Sequence, residues 1–128
     1  MGNNWKITDT LTKVFAEEAP DGQGSIRLST LHRETVSCVI AYFGAADWGR
    51  YWKVSVKAPE KIETRLRRVE LVPSAYPCHK EQDDNYLRIV PGMYPDLLRD
   101  LDTEDDGADK KYLTKEVPGQ WRSLWLDV

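Results

Sequence analysis

Glu34-Thr35-Val36-Ser37-Cys38-Val39-Ile40-Ala41-Tyr42-Phe43 decides the fold. In an extended chain successive side chains point to opposite faces, so Val36, Cys38, Ile40 and Tyr42 share one face and Val39, Ala41 and Phe43 the other. A strand that is apolar on both faces belongs in the middle of a sheet covered on both sides. It is the expected centre of the core.

Working outward, period-2 alternation recurs on either side of this stretch. Upstream, residues 7–15 place Ile7, Leu11 and Phe15 on one face, Ala19-Pro20-Asp21-Gly22 marks a turn, and residues 25–31 point Ile26 and Leu28 one way. Downstream, Gly44-Ala45-Ala46-Asp47 leads to a strand over residues 50–58. There Trp52, Val54, Val56 and Ala58 alternate with the wetter Tyr51, Lys53, Ser55 and Lys57. Over residues 62–72 the parity slips, from Ile62, Thr64 and Leu66 to Val69 and Leu71, and a bulge near Arg67-Arg68 repairs the register. Residues 73–119 read as one long irregular connection holding a short helix, Pro95 to Leu101, with proline in its first turn. Residues 120–128 return to strand, Leu124, Leu126 and Val128 facing one way and Trp121, Ser123 and Trp125 the other. The expectation is an all-β fold: an immunoglobulin-like β-sandwich of two packed antiparallel sheets in a single domain, residues 1–128. The pattern breaks off on an apolar strand residue, as expected of the N-terminal portion of a longer protein.

Composition narrows the function classes. The 128 residues carry 18 Lys+Arg against 21 Asp+Glu, a net charge of −3, and the tight basic cluster Arg65, Arg67 and Arg68 is too small a footprint for nucleic acid. Charged residues interrupt every hydrophobic segment, which excludes a helical membrane span. Met1-Gly2-Asn3-Asn4-Trp5-Lys6 shows neither an apolar leader nor a myristoylation signal, leaving the compartment open with the cytoplasm favoured. Cys38 and Cys78 lack the paired spacing of a zinc site and read as free thiols.

Few motifs carry chemistry. With Gly107 as the sixth position of a calcium loop, Asp102, Glu104 and Asp106 take positions one, three and five, but the twelfth is Leu113, so the acidic run reads as a solvated loop tip. Cys78, His79, Glu81, Asp83 and Asp84 gather metal-ligand types without a rigid three-ligand set. His32 reads as solvent-facing at a turn. With 21 acidic residues in the chain, adjacent carboxylates are expected by chance and mark no glycosidase pair. No metal or cofactor is implied. Cys38, Trp52 and Tyr76-Pro77-Cys78 mimic an immunoglobulin signature, but Pro77 cannot join a central ladder. The aromatics are the richer signal. Trp52 belongs to the core, Trp48 in a Gly-flanked turn is the best exposed platform for a sugar ring, and Trp121 and Trp125 pack under the long connection or against a following domain.

Arg68-Val69-Glu70-Leu71-Val72-Pro73-Ser74-Ala75-Tyr76-Pro77-Cys78, then Asp83-Asp84-Asn85-Tyr86-Leu87-Arg88, Pro91-Gly92-Met93-Tyr94-Pro95-Asp96-Leu97-Leu98 and Gly119-Gln120-Trp121-Arg122-Ser123-Leu124-Trp125-Leu126-Asp127-Val128 form a specific series. With Leu11 to Phe15 and Glu34 to Ser37, it resembles the N-terminal domain of large bacterial proteins related to glycoside hydrolase family 123. The resemblance implies a β-sandwich ahead of a catalytic (β/α)-barrel, and exo-hydrolysis of β-linked N-acetylgalactosamine assisted by the substrate's acetamido group. The Asp-Glu pair belongs to the barrel, so no catalytic residue is carried onto this chain. Such relatives continue past the Trp-rich strand, so this chain is expected to expose an edge there that invites homodimers. The expected function is a non-catalytic accessory module docking on that barrel through residues 73–98, the alternative a carbohydrate-binding module. Trp48, Tyr76, Asp83, Asp84, Asn85, Tyr86, Arg88, Tyr94 and Trp121 are the candidate contact residues; an independent enzyme or interaction domain is the remaining class.

Overall fold

Alternation on both faces of residues 37–43 is matched by cover on both faces. The computed structural model describes residues 4–76, 80, 86–105 and 110–128. Its strands are β1 (Trp5–Thr8), β2 (Ser37–Phe43), β3 (Tyr51–Ser55), β4 (Arg65–Ser74), β5 (Gly92–Asp100), β6 (Asp102–Asp105), β7 (Lys110–Lys115) and β8 (Trp121–Asp127). They form two antiparallel sheets, one ordered β1-β2-β8-β4-β5 and one ordered β3-β7-β6. This is the expected all-β sandwich. Tyr42, Leu66 and Leu124 from the large sheet meet Tyr112 of the small one, with Ile40, Trp52, Val54 and Leu126 packed around them. The outer face of the large sheet is dry as well: Val39 and Ala41 lie under Val14, flanked by Trp121 and Trp125. Residues 9–20 make that outer layer, tied down where the Trp121 amide donates to the Ala16 carbonyl at 2.8 Å.

β8 is hydrogen-bonded on both sides, pairing Val39 with Trp125 toward β2 and Leu66 with Leu126 toward β4. The Trp-rich strand is therefore interior, and the expected edge beside it does not exist; the edges of this sheet are β1 and β5. Asp127 binds the three central strands together. Its carboxylate accepts from Ser37 Oγ of β2 at 2.6 Å, from Trp125 Nε1 of its own strand at 2.7 Å and from Arg67 Nη2 of β4 at 2.6 Å. Burial pushes its pKa up, but the Ser37, Trp125 and Arg67 hydrogen bonds and the Arg67 charge outweigh that and hold it below 3.8.

Six local expectations are corrected. The first strand ends at Thr8 because the Asp9 side chain accepts from the amides of Leu11 and Thr12 at 3.0 and 2.9 Å, a turn that competes with the ladder. Residues 25–31 form no strand: they stay exposed, because period-2 alternation without a partner strand has nothing to pair with. The parity slip in β4 is no bulge at Arg67-Arg68. Leu66 points between the sheets and Val69 into the outer layer, so both faces are apolar by design; the register shift lies three residues on, between Glu70 and Leu71 opposite β5. Pro95 to Leu101 is no helix. A seven-residue helix is marginal by itself, and pairing with β4 over eight positions outcompetes it. The expected irregular connection contains β5, β6 and β7, and within the acidic run Asp102–Asp105 is strand β6, while Asp106 and Gly107 lie outside the described residues.

Cys38 is a free, buried thiol, its pKa raised by burial and by the nearby Asp127 charge. His32 is exposed in a turn. Among the described residues no helix is long and apolar enough to cross a membrane.

The Asp127 carboxylate is stabilised in the folded state, so its contribution is present above its ordinary pKa of 3.8 and is lost as pH falls through that value toward the folded one. Asp127→Ala is expected to cost about 2 kcal/mol at pH 7, and urea melts from pH 7 to pH 3 should show the wild-type advantage over the variant shrinking with acid. A Cβ at Gly44 would sit 2.0 Å from the Val117 carbonyl oxygen; Gly44→Ala should cost about 3 kcal/mol by backbone displacement, read by the same melts.

Candidate functional site

The inward face of the large sheet changes character along its length. On β4 the parity of Leu66 continues to Arg68 and Glu70, on β8 that of Leu126 and Leu124 continues to Arg122, and on β2 that of Ile40 continues to Tyr42. Apolar side chains fill one end of the space between the sheets, and charged ones point into the other. There the structure leaves a cleft of about 560 Å³, floored by Tyr42, Arg68, Glu70 and Arg122 and rimmed by Trp48, Lys115 and Glu116. Its size suits a small-molecule ligand.

Glu116, directly after β7, builds the rim. Its side chain is fully buried. One oxygen accepts from the amides of Ala46 and Arg50 at 3.2 and 3.4 Å, the other from Trp52 Nε1 at 3.0 Å, and the Arg50 guanidinium stands 3.6 Å away. These bonds latch the turn between β2 and β3 onto the small sheet. Within that turn Gly49 adopts a φ of 64°, open to glycine at little cost, and Trp48 is left 71% exposed. Glu116 is thus a structural carboxylate, with its acceptor sites consumed by the chain's own donors.

The floor is less evenly matched. Glu70 accepts from Arg68 Nε at 2.7 Å and faces Arg99 at 3.9 Å. Arg122 donates from Nη2 to the neutral Gln120 Oε1 at 2.8 Å, while its Nε is buried without a hydrogen-bond partner among the described residues. The Tyr42 hydroxyl shares a hydrogen bond with Thr114 Oγ1 at 2.9 Å. Burial raises its pKa, partly offset by the Thr114 bond and by the Arg68 and Arg122 charges.

The residues singled out from sequence separate into three places. Trp48 is exposed at the cleft, as expected, and Trp52 is core, its ring 5.3 Å from that of Tyr42. Tyr86, Arg88 and Tyr94 come together in a surface depression with Lys13 and Phe15. Arg88 is spent on holding that surface: its guanidinium lies 3.5 Å over the Phe15 ring and pairs with Glu17 and, at 3.2 Å, with Glu18. Tyr94 stands edge-on to Phe15 at 5.9 Å and donates to the Val90 carbonyl. Tyr76 is 93% exposed, outside that depression. Trp121 belongs to the outer layer, 5.5 Å from the Phe43 ring and under the Lys6 ammonium. Asp83, Asp84 and Asn85, with Cys78 and His79, lie outside the described residues; among the described ones no three His, Cys, Asp or Glu side chains converge on a metal position.

Sequence reasoning missed Arg68, Glu70, Glu116 and Arg122. A signal existed for three of them, because charged residues at the inward parity of strands β4 and β8 contradict a dry core. Glu116 has no such signature, since it follows β7 in a segment read as irregular. Compared with protein-family models and with curated proteins, the sequence matches none.

Removing the Glu116 carboxylate strands three N–H donors and a guanidinium. Glu116→Ala is expected to lower stability by about 4 kcal/mol, with a changed Trp52 emission, whereas Glu116→Gln should retain part of the loss; equilibrium unfolding followed by tryptophan fluorescence checks both.

Proposed function

We propose that this chain is a non-catalytic accessory β-sandwich module of a glycoside hydrolase, packing on the catalytic barrel of its parent protein. The observation that carries the reading is the surface around β5. Leu87, Val90 and Met93 are 75%, 55% and 46% exposed, and Tyr76 is 93% exposed. Contiguous exposed apolar groups mark an interaction surface. The Arg88 clamp on Phe15 and the Tyr94 contact hold part of this surface in a set shape, which lowers the entropy lost on docking. β5 pairs with β4 and, among the described residues, with no other strand, so its outer backbone edge is open to a partner. The resemblance of residues 68–98 and 119–128 to the domain preceding a family 123 barrel supports the same reading, in which the carboxylate chemistry on β-linked N-acetylgalactosamine would belong to the barrel.

A second reading, carbohydrate binding by the module itself, is favoured by one observation: Trp48 presents an exposed indole beside a cleft with a polar floor.

Mixing this chain with the separately expressed barrel should give a 1:1 complex by size-exclusion chromatography with light scattering, weakened about tenfold by Met93→Lys and Leu87→Lys. The chain alone should not hydrolyse a chromogenic β-N-acetylgalactosaminide. No association with the barrel, a homodimer in its place, or turnover by the chain alone would overturn the proposal.

A further inference from the structure

The charge arrangement in the inter-sheet cleft singles out Arg122. Two buried guanidinium nitrogens lack partners among the described residues, the Nε of Arg67 and of Arg122. Arg67 nevertheless has a carboxylate, Asp127. Arg122 has none among the described residues, where its hydrogen-bond acceptor is the neutral Gln120 amide. Three acids line the cleft, Asp47, Glu70 and Glu116, and none of them is ion-paired with Arg122: Glu70 is engaged by Arg68 and Arg99 and Glu116 by Arg50 and three N–H donors. A guanidinium turned between two sheets, partly desolvated and uncompensated, is costly in the free protein and gains most from a planar anion that accepts two parallel hydrogen bonds.

The same cleft is lined by the exposed Trp48, on a turn that Glu116 latches in place. A cation at the bottom and a flat aromatic face at the rim are the two halves of a site for a ring that carries a carboxylate. We propose that this cleft binds an acidic sugar, a hexuronate residue, with its carboxylate on Arg122 and its ring against Trp48. This rests on the carbohydrate-binding reading and goes beyond it by fixing the charge of the sugar. A carboxylate is preferred to a phosphate because Asp47, Glu70 and Glu116 all line the cleft, and a dianion meets their repulsion at twice the strength.

Titration of the intact chain with sodium glucuronate, glucose and sodium acetate at constant ionic strength, followed by tryptophan fluorescence and by calorimetry, tests the idea. Glucuronate should bind saturably, with glucose and acetate each weaker on the order of tenfold. Arg122→Gln should weaken glucuronate on the order of tenfold and leave glucose unchanged. Trp48→Ala, at an exposed position, should weaken both sugars several-fold with an unaltered melting temperature. If Arg122→Gln fails to fold, Arg122→Lys, which keeps the charge but not the fork, should still lose glucuronate affinity. Glucose binding as tightly as glucuronate, or glucuronate binding indifferent to the Arg122 variants, would overturn the acidic-sugar proposal while leaving carbohydrate binding standing. Acetate matching glucuronate would overturn the role of the ring. No binding of either sugar would overturn both.

Discussion

The rest of the molecule depends on β8 being paired on both sides. Its backbone bonds to β2 and to β4, and Asp127 repeats the connection through side chains, from Ser37 on one flank to Arg67 on the other. Because β8 comes last in the sequence and β2 early, the large sheet closes only when distant parts of the chain meet, a non-local pairing whose loop-closure cost must be met before the contacts reward it. The inner and outer layers are then packed against one continuous sheet, which explains why β2, β4 and β8 carry apolar residues on both faces.

That same sheet creates the cleft. Strand parity carries a row of side chains along each strand without regard to what lies opposite, so where the small sheet stops covering the large one, the inward row has to become polar. Arg68, Glu70 and Arg122 take those positions, and Tyr42 marks the boundary with its ring in the core and its hydroxyl on Thr114. The rim is a separate invention, a turn held open by one buried carboxylate. Glu116 gives up any chemical role by satisfying three backbone and indole donors, and in return Trp48 stays exposed. The two surfaces, the apolar one around β5 and the charged one between the sheets, are built from different residues. A module that docks through one is free to bind through the other.

Much of this was legible in the residues, and the failures have identifiable causes. Alternation over residues 37–43 and 120–128 gave the two central strands with their facing residues, and exposed Trp48 and core-packed Trp52 followed from turn chemistry and parity. Residues 25–31 showed the same alternation and formed no strand, because alternation is necessary for a half-buried strand but does not supply a partner. Pro95 to Leu101 looked like a helix start and became β5, because an eight-position ladder with β4 is worth more than one short helix turn. Arg88 and Tyr94, candidate contact residues in the sequence, also pack on Phe15, an arrangement that only the tertiary fold creates.

By itself the sequence determined the class of fold, the two-faced central strands and the aromatic positions, because these depend on side-chain periodicity and on local turn preferences. Tertiary structure alone decided the order of the strands, the interior place of β8 and the company kept by Glu116 and Arg122. Those depend on which distant segments come together: Glu116 meets the amides of Ala46 and Arg50 across about half the chain, and Arg122 faces a cleft in which Glu70 is engaged by Arg68 and Glu116 by Arg50.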